Sequence, residues 1–117
     1  MSANFKTQFR LRIYRDASIA IGPGKVDLLE AIAQTGSISA AARQLGMSYR
    51  RAWVLVDEIN RALVAPAVTT AAGGVQGGGT ALSPLGEKLV RHYRAVEAAA
   101  RTAAAADIAA LQELLAL

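Results

Sequence analysis

Residues 36–53 read GSISAAARQLGMSYRRAW. Two short helical patterns lie here, separated only by Leu45-Gly46-Met47-Ser48. A link this tight reads as the turn between two helices. The second pattern opens Ser48-Tyr49-Arg50-Arg51, with no acid in its first turn. A helix dipole disfavours cations at that end. Bare positive charge there points to an external polyanion.

The charge distribution agrees. No acid occurs between Glu30 and Asp57, whereas Arg43, Arg50 and Arg51 are present; the first 15 residues carry Lys6, Arg10, Arg12 and Arg15 and no acid before Asp16. The formal net charge is +4, which favours nucleic acid or another anionic surface as partner. At 117 residues the chain is one domain's worth. It is 53% hydrophobic, but alanine supplies much of that and buries little area per residue. A partner subunit would add apolar area, so an oligomer is expected. With no cysteine, disulfides and thiolate chemistry are excluded. No apolar run is long enough for a transmembrane helix, and the N-terminus lacks a signal-peptide run. The expectation is a cytoplasmic protein with no membrane contact and no cofactor.

Along the chain, Phe5, Phe9, Leu11 and Ile13 alternate with Lys6, Gln8, Arg10 and Arg12, the period of a half-buried strand. Ile19-Ala20-Ile21 suits a return strand. Pro23 fits a first helical turn. Val26, Leu29 and Ala33 then share a face that Leu28 and Ile32 widen, and Gly36 suits the position past the helix end. Ser39 is the expected cap of a helix over 40–45, and Ser48 that of a helix reaching about Leu63. On a wheel of about 100° per residue, Ala52, Leu55, Val56, Ile59 and Leu63 fall on one side, with Tyr49 and Trp53 at its margin. Arg50, Val54, Asp57 and Arg61 fall opposite.

Val68-Thr69-Thr70 and Thr80-Ala81-Leu82 read as strands flanking GGVQGGG, which can only be a loop. Ser83 caps and Pro84 opens a last helix. Gly86 breaks the capping box that Glu or Gln would complete. Leu85, Leu89, His92, Val96, Ala99 and Ala103 run down one face of this helix, and a further turn is expected from Asp107. The fold class is mainly α with a small β part, a winged helix-turn-helix with a long C-terminal dimerisation helix. Residues 1–82 form the DNA-binding part, with the recognition helix at about 48–63 and the wing at about 67–82; residues 83–117 form the dimerisation segment.

In that arrangement the second helix enters the major groove by its N-terminal residues. Arg50 is placed for bidentate contact with guanine, Arg51 for phosphate. Ser48 is a cap that also suits phosphate contact. Tyr49 suits either a backbone contact or inward packing, and Trp53 is expected in the core. Ser37, Ser39 and Arg43 would position the preceding helix across the DNA backbone. The glycine run matches neither a phosphate-binding loop nor a dinucleotide fingerprint. His92, the only histidine, lies on an apolar stripe, where packing or a dimer contact outweighs catalysis. No catalytic constellation or metal spacing is visible, so no enzyme is expected.

These residues carry a resemblance. GSISAAARQLGMSYRRAW followed by Asp57-Glu58-Ile59-Asn60, with GPGK at 22–25 and the GG..GGG.ALS..G pattern at 73–86, resembles the DNA-binding domain of the ModE family of molybdate-responsive transcription regulators. The likeness covers roughly residues 5–95. It implies a homodimer on double-stranded DNA at a palindromic operator, each subunit offering a recognition helix and a glycine wing. Gly77 and Gly78 would then approach phosphate through backbone N–H groups. The family's separate molybdate-binding domain would begin about where this sequence stops, so the resemblance implies DNA binding in a stand-alone form. An oxyanion effector such as molybdate is implied by the family alone; one near Arg91, Arg94 or Arg101 is conceivable. The competing reading is a protein-interaction module on the same winged scaffold.

Overall fold

The computed structural model describes residues 4–71 and 79–116. Its elements run β1 (Ile13–Arg15), β2 (Ser18–Ile21), α1 (Pro23–Thr35), α2 (Ile38–Gln44), α3 (Tyr49–Ala62), β3 (Val68–Ala71), β4 (Gly79–Leu82) and α4 (Pro84–Glu113). Two separate antiparallel hairpins, β1–β2 and β3–β4, flank the helices.

The core gathers where α1, α2 and α3 meet. Leu28, Leu29 and Ile32 of α1 are fully buried, against Ile38, Ala41 and Ala42 of α2 and Ala52, Leu55, Val56 and Ile59 of α3. Alanines at the α2–α3 contact let the backbones approach closely. The face expected on α1 is rotated slightly: Ala31 is buried and Ala33 exposed, because α2 packs on the Ala31 side.

Two corrections concern helix boundaries. Ser37, not Ser39, caps α2: its Oγ accepts from the Ala40 N–H at 3.1 Å. The helix starts early because Ile38, its first residue, is 3% exposed and draws the first turn into the core. At the other end of the molecule, α4 continues unbroken to Glu113. The run of alanines before Asp107 contains nothing that interrupts a helix.

Residues 5–12 form no strand. The alternation is nevertheless visible, since Thr7, Phe9 and Leu11 are half-buried and Lys6, Gln8, Arg10 and Arg12 exposed. This extended arm runs antiparallel along α4 instead of pairing with a strand. The Tyr93 hydroxyl donates to the Leu11 carbonyl at 2.8 Å, the Arg101 guanidinium lies 5.9 Å from the centre of the Phe9 ring, and Gln112 Nε2 donates to Thr7 Oγ1 at 3.4 Å. Phe5 is exposed.

α4 is fixed to the core by Arg94. Its guanidinium donates to Asp27 at 2.8 Å, to Glu97 at 2.7 Å and to Glu30. The bonds to Glu30 lead in holding its pKa above even the ordinary arginine range. Of the three arginines considered for an oxyanion, Arg94 is thus already committed to carboxylates.

Gly86 explains the missing capping box. A Cβ there would lie 2.3 Å from the Ala67 carbonyl oxygen, so α4 reaches the strand entry only through a residue without one. Gly86→Ala is expected to lower stability by about 1–3 kcal/mol, the range for overpacking, read as a lower urea midpoint with unchanged slope. Burial pushes the Tyr93 hydroxyl above its ordinary value of 10.0. A raised value means that the tether to Leu11 is complete below pH 10 and is lost as pH climbs through the folded-state value. Tyr93→Phe should therefore flatten the alkaline fall in melting temperature that the unaltered protein shows; an identical profile would refute the tether.

Candidate nucleic-acid interface

α2 ends in a left-handed residue. Gly46 has φ 67°, the conformation glycine adopts at least cost, and Met47 N–H returns to the Ala42 carbonyl at 3.0 Å. The chain then leaves extended through Ser48, whose Oγ accepts from the Arg51 N–H at 3.0 Å. This cap fixes where α3 begins and which residues occupy its first turn.

With Ala52, Val56 and Ile59 buried at its back, α3 turns its front to solvent. Arg50 and Arg51 are exposed there, and Tyr49 is 56% exposed. Neither arginine has a carboxylate within 4.0 Å among the described residues. The far end of the same helix differs: Arg61 pairs with Asp57 one turn away, beside Glu58. Charge is therefore open at the N-terminal half and cancelled at the C-terminal half, which suits insertion by the front end.

Trp53 departs from expectation. It is 40% exposed and meets Tyr49 edge-on, with ring centres 6.1 Å apart. Its position at the margin of the wheel left it outside the zone that α1 and α2 cover. The exposed front of α3 is thus an aromatic pair beside two arginines, and Tyr49 takes the outward of its two options.

Arg43 is exposed in the last turn of α2. Ser37 and Ser39 are half-buried at its start, their hydroxyls 3.1 Å apart. Gly77 and Gly78 lie outside the described residues. The base of the wing is held firmly. Asn60 Oδ1 accepts from the N–H groups of Ala67 and Val68 at 2.9 and 3.1 Å, and its Nδ2 donates to the Val68 carbonyl. Thr80 N–H donates to the Gly36 carbonyl at 3.0 Å. The wing is thereby bolted to α3 and to the end of α1. Sequence reasoning gave Asn60 no structural role; the available signal was a polar amide next to Ile59, on the flank of the buried stripe. Among the described residues no cluster of metal-ligating side chains is found.

A family model described as bacterial regulatory helix-turn-helix protein, lysR family, matches residues 24–87. The molybdenum-pterin-binding protein MopB of Rhodobacter capsulatus is 55% identical over 78 residues, which are 67% of this chain and 29% of that protein. The molybdenum transport protein ModE of Azotobacter vinelandii is 41% identical over 88 residues, 75% of this chain and 33% of that one. The DNA-binding transcriptional dual regulator ModE of Escherichia coli is 39% identical over 71 residues, 61% and 27% respectively. The chain spans roughly a third of the length of these relatives.

Removing the α3 cap with Ser48→Ala should cost about 1 kcal/mol of stability; an unchanged denaturation midpoint would show that the cap contributes nothing. The matched segment takes in α1, the α2–α3 pair, the wing and the start of α4, and the chain belongs to the lysR-type family of bacterial regulatory helix-turn-helix proteins, with a helix-turn-helix of the ModE kind.

Proposed function

We infer that this chain is the DNA-binding part of a transcription regulator, and that it binds duplex DNA as a homodimer. One observation carries the reading: α3 is packed along its back and exposes Tyr49, Arg50 and Arg51 at its front, the two arginines without a carboxylate within 4.0 Å among the described residues. The major groove is wide enough for such a helix and its walls are phosphate. Positive charge that is unfavourable in the free helix becomes favourable on DNA, because binding releases condensed counterions.

Each residue takes a role from its position. Arg50, central on the solvent side of α3, reads a base edge; Arg51, on its flank, meets phosphate. Ser48 and Tyr49 contact the backbone at the helix entrance. Ser37, Ser39 and Arg43 hold α2 across the same backbone, and Gly77 and Gly78 in the wing bring N–H groups to phosphate.

The homodimer is supported by apolar surface that one chain leaves open. A cleft of about 620 Å³ lies between the β1–β2 hairpin, the end of α3 and α4, lined by Ile13, Ile21, Leu63, Leu85, Leu89 and His92. Val96 and Leu111 are exposed further along α4, and Leu114 and Leu115 just past its end. A second copy against this face would cover them and place two α3 helices on one side, about one helical turn of DNA, roughly 34 Å, apart or a multiple of it. Two of these relatives' names concern molybdenum, and an oxyanion such as molybdate is the effector they suggest for the regulator as a whole. No helix among the described residues is long and apolar enough to cross a membrane, in keeping with a regulator at work in the cytoplasm.

Gel-shift titration of a selected operator and a scrambled duplex tests the assignment. Arg50→Ala should weaken operator binding by about 1–3 kcal/mol and relax one base position. Arg51→Ala should weaken both duplexes alike. Wild-type affinity for both should fall steeply between low and moderate salt. No effect of either substitution would remove α3 from the groove, and binding indifferent to salt would favour a protein partner.

A further inference from the structure

Beside α3, the β1–β2 hairpin and the start of α1 enclose a second, open cleft of about 1100 Å³. Arg51 and Glu58 line it from α3, Arg10, Arg12 and Arg15 from the arm and hairpin, and Lys25 from α1. Lys25 is engaged, donating to the Ile19 carbonyl at 2.6 Å and lying 3.7 Å from Glu58. The four arginines are exposed, and among the described residues none has a carboxylate within 4.0 Å. Asp16 also lines the cleft with Glu58, yet neither comes within 4.0 Å of these four guanidiniums, which repel one another unless an anion joins them.

The occupant follows from three features. Because all four guanidiniums lie at the surface, the cleft suits a strand lying along it better than an enclosed small anion. Arg51 belongs both to this cleft and to the first turn of α3, so a duplex that receives α3 must bring a phosphate wall to this flank. Finally, residues 67–82 contain neither lysine nor arginine. The wing therefore adds no side-chain charge to the interface, and the hairpin side supplies it.

We propose that this cleft binds the sugar–phosphate backbone of the DNA strand flanking α3, with Arg12 and Arg15 as contacts additional to Arg51. The proposal rests on the reading of α3 as the groove-binding helix and adds a sequence-independent clamp to it. Phosphate contacts fix register without reading bases. Glu58 works against the clamp by placing a negative charge in the path of the backbone.

Fluorescence anisotropy over a salt series tests it, with a duplex selected from a random pool and a scrambled one. The double variant Arg12→Gln/Arg15→Gln should bind both duplexes about tenfold more weakly, with a log–log salt slope shallower by about two, near 0.9 for each lost phosphate contact. The preference for the selected duplex should stay unchanged. Glu58→Gln should tighten binding to both duplexes a few-fold, a gain that damage to the fold would not produce. If wild type prefers the selected duplex while the double variant keeps its affinity and slope and Glu58→Gln changes nothing, the clamp is refuted and α3 stands. A changed preference in the double variant would overturn the phosphate assignment in favour of base contacts. A wild-type chain that binds no duplex would overturn the clamp together with the reading beneath it.

Discussion

What α3 offers to solvent depends on the packing behind it. Ala52, Val56 and Ile59 sit against the alanines of α2 and the large side chains of α1, Leu28, Leu29 and Ile32. Close packing of this kind fixes a helix in rotation as well as in place. A rotation of one residue, about 100°, would turn Arg50 toward the flank and bring Trp53 to the centre of the exposed side. The turn between α2 and α3 works with the packing: left-handed Gly46 and the Ser48 cap decide which residue opens α3. The small hydrophobic core is thus what aims the arginines.

The other parts are anchored to the same core by polar contacts. Asn60 and the Gly36 carbonyl hold the two strands of the wing from opposite sides. Arg94 binds α4 to α1 through Asp27 and Glu30 while Glu97, on its own helix, holds the guanidinium, and Tyr93 holds the N-terminal arm. Gly86 lets α4 approach the wing entry at backbone distance. In the proposed homodimer α4 carries the seam, so its attachment to α1 also sets how far apart two copies of α3 stand. Reading a two-fold DNA site requires that rigidity, because both helices must meet the groove at once.

Much of this was legible in the sequence for local reasons. Pro23, Gly36, Gly46, Ser48, Ser83 and Pro84 mark helix ends by their own chemistry, and the stripe of α3 follows from spacing alone. The errors arose where distant contacts decided the outcome. Residues 5–12 carry the alternation of a strand, but that pattern requires only an extended chain with one covered face, and α4 covers it. Ser37 and Ser39 are equally good caps in isolation; burial of Ile38 chose between them. Trp53 lies at the margin of the apolar stripe, and there the packing of α1 and α2 leaves it 40% exposed rather than in the core. Asn60 and Gly86 are required by Ala67 and Val68, which come close only after folding. The exposure of Arg50 and Arg51 follows from the spacing of the buried stripe behind them, but periodicity places side chains on a face without placing a partner opposite them.

Selection of duplexes bound by the intact chain from a random pool tests the central claim most directly, since it asks whether a rigidly held helix reads sequence and whether two copies read together. The account predicts enrichment of a palindrome whose half-sites lie one helical turn, roughly 34 Å, or a multiple of it apart. A pool that stays random through successive rounds at moderate salt would contradict it.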